Sequence, residues 1–338
     1  MDGTKPFVFA DHTTLRVGGP ARFCRVVETH DDFSEASLFI QQSGMRWMVL
    51  GGGSNVLPSD DSFDGCVVRM KMRGIELVSE TDSMVLVNVA GGEMWDEFVA
   101  YTVSKGWWGV ENLSGIPGTV GATPIQNVGA YGVEVGSVIE SVETRAIETG
   151  EKKSFSNQEC MFGYRGSFFK TNEGKKHVVT SVLFRLTKNS APKVDYKDLA
   201  NVFSSQTPTL SEIRNAVLLI RKEKFPDLGA VGTAGSFFKN PILTEERYKE
   251  LQSMFPNIPS YPMKDNQRKI PLAWILDKVL HLNGYSLGNV GLFEHQPLVL
   301  VAKKGATAKE IDAFARSIEA MVFEKTGIVC EREVQTLV

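Results

Sequence analysis

Apolar and polar residues follow two periods along the chain, and each period marks a different kind of element. Phe23–Glu28 reads as a strand; Thr29 can cap a helix over Asp32–Gln42, with Asp32 at its third position and Gly44 past its end. Trp47–Leu50 is a short apolar strand running into Gly51-Gly52-Gly53, and Cys66–Met70 is another. Val85, Val87 and Val89 alternate with Leu86 and Asn88, as a half-buried strand requires. In Met94–Lys105 the residues Trp95, Phe98, Val99, Thr102 and Val103 share one helical face, and Gly106 ends it. Residues 138–186 return to strands, two of them joined at Thr149-Gly150. The last third is more helical. Thr209–Glu212 and Thr307–Glu310 are capping boxes. The first opens a helix with Ile213, Val217 and Ile220 on one face; the second opens one with Ile311, Phe314, Ile318 and Met321, stopped by Gly327. Thr244 can cap a helix through Leu251 and Met254, Pro271–Leu280 forms another, and Glu331–Val334 reads as a strand. Strands come first and helices later, which predicts an α+β protein of at least two domains.

Residues 111–137 fit neither period. Gly115, Gly118, Gly121, Gly129, Gly132 and Gly136 crowd there with Pro117 and Pro124, between apolar anchors such as Ile116, Val120 and Val128. A linker would be polar and featureless, so this is a structured loop.

Bulk composition narrows the chemistry. A chain of 338 residues allows two or three domains of about 100–200 residues each. Its 37 basic and 40 acidic residues give a net charge of −3, which excludes a general nucleic-acid binder; an anionic ligand must meet a local basic cluster. The four cysteines are too far apart for a metal knuckle or redox pair and read as reduced thiols. The five histidines show no ligand spacing, so no metal is expected. Met1–Pro6 lacks the apolar run of a signal peptide, and no stretch of about 18 apolar residues occurs; a cytoplasmic protein that enters no membrane is expected.

Six segments could carry chemistry. Leu50–Leu57, containing Gly51-Gly52-Gly53-Ser54-Asn55, offers bare backbone that can curl around a pyrophosphate or make a tight turn. It lacks the third glycine of a Rossmann fingerprint and the Gly-Lys-Ser/Thr of a P-loop. Ser114–Gly132 lets backbone approach a flat ligand, and Gln126 and Asn127 offer amide donors and acceptors. Two such loops favour dinucleotide binding over mere turns. Phe162–Lys170 and Gly235–Pro241 share Gly-Ser-Phe-Phe-Lys, each placing a hydroxyl beside aromatic rings and a cation; Ser167 and Ser236 are equal candidates for a proton donor, though most serines are structural. Glu331 and Glu333 would share one face of their strand, which could equally be a solvated edge. Arg221, Lys224 and Lys239, with Tyr196 and Tyr261, could hold a diphosphate, or the helical cations could simply answer the dipole.

Together these motifs resemble the UDP-N-acetylenolpyruvoylglucosamine reductase family. Gly-Gly-Gly-Ser-Asn, then Gly-Ile-Pro-Gly-Thr-Val-Gly-Ala…Gln-Asn-Val-Gly-Ala-Tyr-Gly, then Gly-Tyr-Arg-x-Ser-x-Phe-Lys, then Ala-Gly-Ser-Phe-Phe-Lys-Asn-Pro occur in the family order from about residue 10 to residue 338. The resemblance implies an FAD-binding domain of the p-cresol methylhydroxylase type in two α+β subdomains, 1–73 joined by 326–338 and 74–225, and an α+β substrate domain over 226–325. It implies non-covalent FAD, NADPH as hydride donor, and reduction of UDP-N-acetylglucosamine enolpyruvate to UDP-N-acetylmuramate for peptidoglycan synthesis by a monomer. Ser236 then matches the general acid, Arg165 the cation facing the enolate, and Glu333 the glutamate assisting there. FAD would be held by Gly51–Asn55, Ile116, Pro117, Gly118, Gly121, Ala122, Thr123, Gln126, Asn127, Gly129, Ala130, Tyr131 and Arg221. Tyr196, Lys224, Asn240 and Tyr261 match substrate-holding positions, and Tyr196 suggests the branch that closes a tyrosine over the substrate. Two departures stand out: Arg332 where the family often has Pro, and Asn283 where a Lys is common.

Two other functions compete. An FAD oxidase of alcohols or hydroxy acids would keep the fold, but no histidine sits in either glycine loop. A flavin-free nucleotide-sugar binding protein would use Ser236 and Glu333 as polar contacts only.

Overall fold

The computed structural model describes residues 7–204 and 207–337; Met1–Pro6, read above as lacking a signal peptide, lies outside them. The described chain mixes helices and sheets as the two periods predict, and it is α+β. It forms two compact units. The first contains Ala21–Gly53 and Asp64–Arg221; the second contains Val8–Pro20, Ser54–Phe63 and the chain from Lys222 onward.

The first unit is built on a five-stranded antiparallel sheet in the order Lys152–Ser156, Ile139–Ala146, His177–Thr187, Met84–Ala90, Ile75–Glu80. Val85, Val87 and Val89 are fully buried, and each such side chain stabilises the fold by about 1.5–3 kcal/mol. They meet Trp95, Phe98 and Val99 of a helix, α2 (Trp95–Ser104), whose apolar face is the one the sequence shows. In a smaller sheet, Phe63–Met70 lies between Pro20–Val27 and Arg46–Leu50, pairing in parallel with the last. Against its apolar side lies α1 (His30–Ser43), which buries Phe33, Ala36 and Ile40. The Thr29 side chain accepts from Asp32 N, the Asp32 carboxylate returns the bond, and Gly44 closes the helix at φ +60°.

Further helices follow: α3 (Lys197–Val202), then α4 (Leu210–Lys224), where the Thr209–Glu212 capping box forms as expected. In the second unit, a four-stranded sheet runs Gly232–Ser236, Gln296–Ala302, Val290–Phe293, Ser286–Leu287. Its core packs α5 (Glu245–Met254), α6 (Leu272–Trp274) and α7 (Ala308–Thr326), the last burying Ile311, Phe314 and Ile318. The Thr307 box and the Gly327 stop of α7 are both present.

Two elements differ from expectation. Pro271–Leu280 is not one regular helix: after α6 the chain widens into a π turn over Ile275–Val279, with Leu280 N–H donating to Ile275 O at 3.0 Å. The apolar spacing of Leu272, Ile275 and Leu276 suits an α-helix equally well, so the pattern carries no sign of the widening. Nor is Glu331–Val334 a strand. Only an isolated bridge joins Arg332 to Phe238; the ladder starts at Gln335, where Gln335–Leu337 pairs in parallel with Val56–Pro58. Among the described residues no helix is long and apolar enough to cross a membrane.

All four cysteines are free thiols. Burial pushes Cys66 up to about 11, and Cys160 and Cys330 up to about 12, so these three stay protonated and unreactive near neutral pH.

Replacing Thr307 with Ala removes the acceptor for Glu310 N at 3.1 Å. The second unit should lose about 1 kcal/mol of stability in urea unfolding, with little change in secondary-structure content.

Candidate functional site

The site begins where the strand Arg46–Leu50 gives out into glycine. A Cβ on Gly51 would fall 2.7 Å from Thr119 Oγ1, and one on Gly52 would fall 2.7 Å from the Gly118 Cα. Gly53 and Gly118 stand at φ +64° and +124°, conformations that glycine adopts without strain. The two glycine loops therefore touch main chain to main chain. The second is also stitched to the turn before α2: Trp95 N donates to Gly118 O at 3.0 Å, Val120 N to Glu93 O at 2.8 Å, and Gly121 N to Gly91 O at 2.9 Å. This surface, bare of Cβ atoms, is what the close approach of a flat ring or a pyrophosphate requires.

Such a loop has few side chains of its own to hold it, and groups distant in sequence do so. The Asp96 carboxylate accepts from Gly115 N at 2.6 Å and takes both guanidinium arms of Arg214, at 2.6 and 2.9 Å. Burial alone would raise the Asp96 pKa. The Arg214 and Gly115 hydrogen bonds, with the charges of Arg214 and Arg221, outweigh it and hold the carboxyl below its ordinary value. Arg221 donates through Nε to Gly115 O at 3.1 Å, so both polar groups of this φ +71° glycine are gripped by charged side chains. Arg221 also bonds the Tyr131 hydroxyl; burial pushes that phenol up to about 12, although Arg221 opposes the shift. Tyr196 stands edge-on to Tyr131 with centroids 5.6 Å apart. Asn112 donates to Tyr131 O at 3.0 Å and to Lys193 O at 2.7 Å.

Asn127, at φ +45°, spends its whole amide on protein partners. It donates to Glu134 Oε2 and Gly163 O at 2.8 and 3.0 Å and accepts from Gly136 N at 2.8 Å. Arg165, at φ +54° in the Gly163–Gly166 turn, donates to Gly129 O at 2.7 Å and lies 5.5 Å over the Tyr164 ring. Gly129 and Arg165 are thus brought together, since a Cβ at Gly129 would reach 2.9 Å from the guanidinium. Ile116, Pro117, Ala122, Thr123, Gln126 and Ala130 lie along the same loop, with the buried Thr123 hydroxyl bonded to Val120 O at 2.8 Å.

The twin serines separate clearly. The Ser167 hydroxyl donates to Ile125 O at 2.7 Å and accepts from Phe169 N, tying down its own turn. Ser236 ends the strand Gly232–Ser236, half-buried before the buried Phe237 and Phe238, and among the described residues its hydroxyl makes no hydrogen bond. In the same unit, Glu333 N donates to Phe237 O at 2.9 Å, and Asn55 Nδ2 donates to Glu333 O at 3.3 Å. Ser54 precedes Asn55 on this stretch. Asn240 accepts from Leu272 N at 3.0 Å, and Tyr261 is exposed with the Lys269 ammonium 6.0 Å from its ring. Lys224 is the last residue of α4, and Tyr196 is the N-cap of α3.

Sequence reasoning missed Asp96, Arg214 and Asn112. Their sign lay in polar residues of helical or loop segments that the apolar pattern leaves unexplained, above all Arg214 two turns before Arg221 on α4. Among the described residues no cluster of three or more His, Cys, Asp or Glu could hold a metal.

Comparison with known proteins agrees with this geometry. Residues 21–152 match the family model of an FAD binding domain, and residues 227–337 match the UDP-N-acetylenolpyruvoylglucosamine reductase C-terminal domain. The reductase of Porphyromonas gingivalis is 41% identical over 292 residues, covering 86% of each chain. This chain belongs to the UDP-N-acetylenolpyruvoylglucosamine reductase family. Another member, from Flavobacterium johnsoniae, is 35% identical over 341 residues, covering 100% of each. The crystal structure of the Thermus caldophilus reductase shares the fold, with a TM-score of 0.70 at 24% identity over 99% of this chain and 98% of that one. The protein is thus an FAD-dependent oxidoreductase, and the cradle of bare glycine backbone fits the cofactor.

Gly52→Ala should force the two loops apart and weaken FAD retention at least about tenfold, or ~1.4 kcal/mol. Flavin fluorescence of the dialysed protein would show it, with an unchanged far-ultraviolet spectrum confirming the fold. A second expectation concerns Tyr131, whose pKa is raised. Its neutral form is the one folding favours, so its contribution is complete below about pH 10 and is lost as pH rises through about 12. Difference absorbance during alkaline titration should find one tyrosine that ionises late, as pH rises through about 12, and Tyr131→Phe should abolish that late step.

Proposed function

We propose that this protein reduces UDP-N-acetylglucosamine enolpyruvate to UDP-N-acetylmuramate at the expense of NADPH, supplying a precursor of peptidoglycan. The observation that carries this reading is the pair of interlocked glycine loops in a chain whose C-terminal third matches the reductase domain. Bound FAD would accept hydride from NADPH and deliver it to the terminal vinyl carbon of the substrate.

The chain's own residues have the remaining work. Gly51–Asn55, residues 116–131 at the positions named above, and Arg221 hold the cofactor. Hydride addition places negative charge on the carboxylate side of the enolpyruvyl group, and a cation already fixed in place stabilises such charge most. Arg165, braced on Gly129 O, takes that role, with Glu333 assisting. The Ser236 hydroxyl supplies the proton to the carbon beside the carboxylate, which completes the lactyl group. Ser167 is a poor competitor because its hydroxyl already serves its own turn. Tyr196, Lys224, Asn240 and Tyr261 hold the nucleotide sugar, with Tyr196 closing over it.

We further assign residues 1–73 with 326–338, and 74–225, to the cofactor, and 226–325 to the substrate. The enzyme works as a cytoplasmic monomer.

The test is a pair of half-reactions without oxygen. NADPH should bleach the flavin, and the enolpyruvyl UDP-sugar should restore its colour. Ser236→Ala should slow the second step about a hundredfold or more and leave the first nearly intact. Equal loss of both steps would remove Ser236 from the role of acid; bleaching without recolouring of the wild type by that sugar would overturn the substrate.

A further inference from the structure

Arg332 sits between the two C-terminal glutamates and makes the most elaborate ionic arrangement among the described residues of the second unit. Its Nε donates to Glu319 Oε1 at 2.6 Å and its Nη1 to Asp312 Oδ1 at 2.6 Å, with Nη2 completing the grip on Glu319 at 3.3 Å. Asp312 and Glu319 lie two turns apart on one face of α7, so one guanidinium spans both. The guanidinium also lies 5.7 Å from the centre of the Phe237 ring, beside Ser236. Only 21% of the Arg332 side chain is exposed, so this is a largely desolvated clamp rather than a surface pair. The carboxylate of Asp312 has a second cation, Arg316 at 2.9 Å.

The backbone around Arg332 turns this clamp into a device. Lys239 N donates to Glu331 O at 2.8 Å and Glu333 N to Phe237 O at 2.9 Å, so residues 331–333 run extended along 237–239. Arg332 itself occupies the pair position whose main-chain groups point away from the partner. In an extended stretch, successive side chains leave on opposite sides. Sending Arg332 to α7 therefore sends Glu331 and Glu333 the other way, and Glu331 indeed pairs with the Lys239 ammonium. The reversed facing would set the Glu333 carboxylate against Asp312 and Glu319, three like charges with only Arg316 beside them.

We infer that Arg332 is a positioning residue: by clamping α7 through Asp312 and Glu319, it fixes the facing of Glu333 and its spacing from the Ser236–Phe237 backbone, and thereby tunes the step in which the substrate is protonated. The inference rests on the role proposed for Glu333.

The test uses the FAD-loaded enzyme and follows the two half-reactions separately. Arg332→Leu should slow flavin reoxidation by the enolpyruvyl UDP-sugar about tenfold while leaving reduction by NADPH unchanged. Because that variant leaves Glu319 without its cation and Asp312 with Arg316 alone, Arg332→Leu with Asp312→Asn and Glu319→Gln guards against mere loss of folding; it should recover the wild-type melting temperature and keep the slow reoxidation. Arg332→Leu and Glu333→Gln should be non-additive when combined, since the clamp acts only through Glu333. Normal reoxidation in the triple variant, or slowing of both half-reactions alike, would overturn the inference, as would full additivity. A Glu333→Gln enzyme that reoxidises normally would instead remove the role of Glu333, whatever the Arg332 variants do.

Discussion

The main-chain contact of Gly52 with Gly118 is the constraint on which the cofactor-binding half of this protein depends. It brings two loops into register with nothing between them, and at the contact itself it leaves no side chain to hold them. Everything else in the neighbourhood answers that deficit. Hydrogen bonds to Gly91 and Glu93 fix the second loop along its edge, Asp96 and Arg221 hold the two polar groups of Gly115, and Asn127 pins the far end to Glu134, Gly136 and Gly163. Buried charges of this kind are costly when stripped of a partner, and each here has one: Asp96 with Arg214, Arg221 with Tyr131. Glycines stand where a ligand must approach, and ionic side chains hold the loop that carries them.

The second unit solves a comparable problem with different means. Ser236 and Glu333 lie on segments more than ninety residues apart in sequence, joined by main-chain bonds at Phe237 and Lys239. Those bonds set the pairing register, and the ion cluster on α7 holds Arg332 to the facing that this register gives it.

Much of this was legible in the chain itself, for a reason that lies in the range of the interactions. The capping boxes at Thr29, Thr209 and Thr307 join residues three apart, so their signature is contiguous and the helices appear where they were read. The inward valines of Met84–Ala90 obey a period of two, and their burial follows. The glycine loops announced a close approach but not to what; Gly52 and Gly118 meet across a separation that no local pattern spans. The Asp96–Arg214 pair is invisible for the same reason, and so is the ionic role of Arg332, which the sequence showed only as a departure from the family. The π turn at Ile275–Val279 escaped because its apolar spacing is also that of an α-helix. Ser167 and Ser236 share the run Gly-Ser-Phe-Phe-Lys, and the bond from Ser167 to the carbonyl of Ile125, distant in sequence, is one that no local pattern shows.

The crowding at Gly52 also bears on how this protein can change over generations. Every missense change of a glycine codon adds a side chain, and at this position any side chain begins with an atom that collides with the opposing backbone. A polar pair such as Asp96 and Arg214 can be exchanged for other pairs in two steps, but the glycine contact has no neighbouring solution to drift toward. An inhibitor whose affinity came from the bare main chain of these two loops would leave the organism few single substitutions by which to escape it.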